Sequence, residues 1–92
     1  MTQQYIAGEF SSLIGELQQV GGGLLVGALR DLRSRVEHTA VASLPPLVSE
    51  AIAAADTICW ISLERGDLVA FSRQTATAAA LHEFAVCAGL LR

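Results

Sequence analysis

The sequence predicts an all-α protein, a compact bundle of about four helices, and three observations support this. Apolar residues recur at three- and four-residue intervals in successive segments. Glycine or proline punctuates each junction between those segments. The last junction is so short that the third and fourth helices form an antiparallel hairpin.

The first segment, Gln3 to about Gln19, sets Ile6, Phe10, Leu13, Ile14 and Leu17 on one side at about 100° per residue, with Thr2 as its N-cap. Gly8, Ser11, Ser12, Gly15 and Gln19 occupy the opposite side, which makes this a surface helix with one buried stripe. Gly21-Gly22-Gly23 ends it, because glycine suits a turn and costs entropy inside a helix. A second helix from near Gly23 to about His38 points Leu25, Leu29, Leu32 and Val36 inward and Arg30, Asp31, Ser34 and Glu37 outward. Asp31 and Arg35 are spaced within it for an exposed ion pair. His38 falls where a protonated imidazole would favour the exposed carbonyls of the last turn.

Thr39 to Leu44 loses the periodicity and reads as a connection. Pro45-Pro46 suits the first turn of a third helix, where a missing amide hydrogen leaves no bond unmade; Ser43 or Leu44 lies just outside it, and Ser43 reads as a pre-helix cap. Its inner stripe is Val48, Ala51, Ile52, Ala55, Ile58, Cys59 and Ser62, and Gly66 stops it. Asp67 then caps a fourth helix, Leu68 to about Leu91, which turns apolar nearly all round after Ala76 and is therefore expected to be buried on several sides. Residues 1–92 are read as one domain, since the chain is too short for two independent cores.

The 52% apolar content is high for a chain of this size, so apolar surface is expected to remain after the monomer folds. All six basic residues are arginine, the formal charge is −3, and no basic tail is present, which disfavours general nucleic-acid binding. Arg30, Arg33 and Arg35 do not share one face and read as a solvated, partly ion-paired surface. The two most apolar stretches are interrupted, one by His82 and Glu83 and the other by Glu50 and Asp56, so neither is expected to span a membrane. The N-terminal residues lack a secretory pattern, and the expected location is cytoplasmic.

Candidate chemistry is sparse. Within the hairpin Cys59 stands opposite about Gln74, roughly 20 Å from Cys87 at 1.5 Å per residue, too far for a disulfide. Both cysteines read as buried free thiols. Glu50 falls opposite Glu83, near His82 and Cys87, yet no metal-ligand spacing accompanies them, and no metal or other cofactor is expected. No nucleophile elbow or triad spacing marks an enzyme.

Trp60 stands out. It is rotated by about 140° from the centre of its helix's inner stripe, with Ile61 on the other flank. A surface contact with Arg73 is one account of it; a protein interface is the preferred one, because it also absorbs the apolar excess. The expected function is a non-enzymatic interaction module, a homodimer serving as adaptor, assembly subunit or regulator of another protein. Trp60, Ile61, Val86 and Leu90 are its interface candidates. A bundle carrying a small hydrophobic ligand is the alternative, and a helical transcription regulator using the arginines of helix two is a third.

Overall fold

Residues 3–90 are described in a computed structural model of the chain, so Thr2 and its capping role lie outside the described residues. The apolar periodicity becomes four helices: α1 Gln3–Val20, α2 Val26–Glu37, α3 Pro45–Glu64 and α4 Leu68–Cys87. A 3-10 turn, Val41–Ser43, lies in the link between α2 and α3. Each helix packs on the next, and α4 closes the bundle against α1.

The expected stripes meet in one core. Phe10, Ile14 and Leu17 of α1 join Leu29, Leu32 and Val36 of α2 and Val48, Ala51, Ala55 and Ile58 of α3, with Leu81 and Ala85 from α4. The Phe10 ring stacks on Phe84 with centroids 6.2 Å apart, which fixes the α1–α4 approach.

The junctions refine the sequence reading. Gly22 and Gly23 adopt positive φ, and so does Leu25, at 54°. The chain therefore enters α2 only at Val26, and Leu25 is half-buried rather than part of the inner stripe. Pro45 and Pro46 occupy the first turn of α3 as expected, and of the two residues expected just outside it Leu44 holds the cap position, whereas Ser43 is the last residue of the 3-10 turn and not the cap. At the hairpin Gly66 has φ 72°, Asp67 N–H donates to the Ser62 carbonyl at 3.0 Å, and the Asp67 side chain accepts from Ala70 N–H at 3.1 Å. One dipeptide thus closes α3 and opens α4.

The fourth helix departs most from expectation. It stops at Cys87, because Gly89 takes φ 71° and Leu90 N–H donates back to the Ala85 carbonyl at 2.8 Å. Only Gln74, Leu81 and Ala85 are fully buried along it. Its outer half faces solvent because its main neighbours, α1 and α3, cover one side of it. By length and composition alone the 20 residues of α3 meet the bare requirement for crossing a membrane, despite the interruptions at Glu50 and Asp56, as the core helix of a bundle also can. In the bundle its apolar side supplies core residues, and Glu50 on its outer side is ion-paired.

Candidate protein-interaction surface

Charged groups on the α2 side are largely committed to each other. Arg35 donates to both oxygens of Glu50, at 3.0 and 3.1 Å, and to Asp31 at 3.1 Å. The hydrogen bonds to Glu50 raise the guanidinium above its ordinary value, and the nearby Asp31 carboxylate adds to the effect. Glu50 is therefore held toward α2 rather than toward Glu83. Arg33 donates to Ser11 Oγ at 3.0 Å, and Ser11 donates to Glu37 at 3.1 Å. Ser11 is accordingly buried, against its expected place on the solvent side of α1. Gly15 makes this possible, since a Cβ there would stand 2.6 Å from Arg33 Nη1. The His38 ring nitrogen Nδ1 lies 2.8 Å from the Ser34 carbonyl, the helix-end role read from its position.

The junction of α1 and α4 holds a buried side-chain amide. Gln74 is 1% exposed and its Nε2 donates to the Val20 carbonyl at 2.9 Å. Its Oε1 finds no partner among the described residues. A cleft of about 120 Å³ lies beside it, walled by Gly21, Gly22, Ser62, Arg65 and Asp67.

Apolar exposure is concentrated elsewhere. Seven large apolar side chains are exposed among the described residues, and five of them, Trp60, Leu63, Leu68, Val69 and Val86, lie on α3 and α4. Trp60 is 60% exposed and Val86 54%. Ile61 is half-buried at the edge of this surface. Leu90 does not belong to it. At 5% exposure it is a core residue, because the left-handed Gly89 folds the chain back over the end of α4.

The cysteines separate as well. Cys59 and Cys87 are both free, but only Cys59 is buried; Cys87 is exposed in the last turn of α4. Burial pushes the Cys59 thiol up, and the Asp56 carboxylate adds to the shift.

Sequence reasoning missed the Ser11–Arg33–Glu37 chain, the Arg35–Glu50 tie and the Gln74 bond. Gln74 was legible in principle, since it stands seven residues before Leu81 on the same helical side. The others depend on how α1, α2 and α3 are placed against each other. Neither protein-family models, nor curated proteins, nor solved structures match this chain.

Proposed function

We propose that the protein is a non-enzymatic, self-associating helical module that works as an adaptor, assembly subunit or regulator of another protein. The observation that carries this reading is the exposed apolar surface of the α3–α4 hairpin, with Trp60 at 60% exposure as its largest member. A tryptophan so exposed offers on the order of 100 Å² of surface, and burying it in both copies of a dimer would return about 5 kcal/mol at 25 cal/mol per Å². Association itself costs about 4–15 kcal/mol. Trp60 alone therefore does not hold a dimer, and the remaining exposed apolar residues of the hairpin must contribute.

Light scattering over a concentration series tests the reading. The parent chain should exceed its monomer mass of 9.7 kDa at high micromolar concentration. The double variant W60S/V86S, altered only at exposed positions, should need at least about tenfold more protein to associate. A parent that stays monomeric across the series refutes self-association.

A further inference from the structure

The outer face of α4 has an internal symmetry. Val69, Ala76, Ala80 and Cys87 follow one another at intervals of seven, four and seven residues, which holds them within about 40° of each other around the helix at 100° per residue. All four are exposed, Val69 at 68%. They are also placed evenly about Ala78: Val69 and Cys87 lie nine residues to either side, and Ala76 and Ala80 two. Arg73 and Glu83 lie five residues to either side, both exposed, flanking the stripe on opposite edges.

From this pattern we infer that α4 is the two-fold seam of a homodimer, packed antiparallel on α4 of a second copy and centred at the level of Ala78, whose own side chain faces away from the seam. The inference rests on the self-association proposed above and specifies where it occurs. In an antiparallel pair about this centre, each residue meets the one equally far beyond Ala78 in the other copy. Val69 then faces Cys87 of the second copy, Ala76 faces Ala80, and Arg73 faces Glu83.

Charge complementarity selects a second copy as the occupant. Arg73 and Glu83 have opposite signs and stand equally far from the centre on opposite edges of the stripe, so one two-fold operation brings two Arg–Glu pairs to the same level, each reaching across the seam. A parallel pairing would instead set arginine against arginine and glutamate against glutamate. The alanines between them let the two backbones approach closely. Trp60, level with about Arg73 along the hairpin, comes within about one helical turn of Val86 of the second copy, on the side of the seam toward α3.

Charge reversal and cross-linking test the seam on the full chain. Single variants R73E and E83R each place like charges face to face twice, and each should raise the dimer dissociation constant about tenfold or more in sedimentation equilibrium. The double variant R73E/E83R exchanges the signs and should restore the parent constant. Both positions are exposed in the monomer, so circular dichroism of dilute protein should show all three variants folded.

For the cross-link, an interaxial distance of about 10 Å less two Cα radii of about 2.3 Å leaves about 5.4 Å between facing Cα atoms, within disulfide reach. With oxidised glutathione as electron acceptor, the thiol introduced by V69C should link to Cys87 of the second copy, as read by peptide mapping. A dimeric parent whose association ignores both charge reversals, or a Cys87–Cys87 link in V69C, overturns the seam and leaves self-association standing. A monomeric parent overturns both.

Discussion

At the residue scale, the two cysteines show how one side chain takes two characters from its surroundings. Cys59 lies on the core side of α3, where burial and Asp56 oppose the thiolate, while Cys87 sits in the open last turn of α4. A group whose folded value is raised keeps its stabilising effect below its unfolded value and loses it as pH rises through the folded one. Ionisation of Cys59 therefore works against the fold only in alkaline solution. Thiol labelling of dilute native protein should show one fast site and one slow site, and C87S should abolish the fast one. Raising the protein concentration into the dimer range should slow Cys87, because the α4 seam covers it. Two native thiols of equal reactivity would contradict the burial assigned to Cys59.

At the element scale, the helix ends are set by backbone conformation as much as by side chains. Gly66 and Gly89 both adopt positive φ two residues past the end of a helix and return an N–H to a carbonyl in the preceding turn. At Gly66 this geometry reverses the chain into α4, so G66V should destabilise the protein by about 1–2 kcal/mol, the cost of left-handed backbone for a residue with a Cβ. Chemical denaturation measures it, and an unchanged midpoint would mean that the hairpin does not depend on that conformation. No side chain lies within 4 Å of the added Cβ, so the loss is a backbone effect rather than a clash. Gly66 and its role were legible in the sequence. Leu25 was not: its apolar side chain reads as helix interior, whereas its backbone takes a left-handed φ of 54° just before α2 begins.

At the scale of the whole molecule, two polar ties join parts far apart in sequence. Arg35 and Glu50 connect α2 to α3, and Gln74 connects the first turns of α4 to the end of α1. The variant Q74E tests the second tie through its pH dependence. A neutral carboxyl still has a hydrogen to donate to the Val20 carbonyl; a carboxylate has none and is buried beside an acceptor. Its folded-state value is thus raised, and its stability is retained below the ordinary glutamate range and lost as pH rises through the folded value. Q74E should match the parent near pH 4 and melt earlier at pH 7, with a deficit of about 1–3 kcal/mol. Equal parent and variant stability at pH 7 would show that the Val20 bond contributes nothing.

The sequence alone specifies four helices, most of the core stripes of the first three and the hairpin, because periodicity, proline and glycine act within a few residues of chain. It also determined that Trp60 points away from the core, a matter of one angle on one helix. Which of the remaining apolar residues lie inside depends on how the helices pack. Leu90 is buried and Cys87 exposed although they stand three residues apart, because Gly89 reverses the chain between them. The outer half of α4 is open because its main neighbours, α1 and α3, cover one side, a fact of assembly that its apolar composition conceals. Local sequence sets each helix's own preference, whereas burial depends on which neighbours arrive, and those neighbours come from distant parts of the chain.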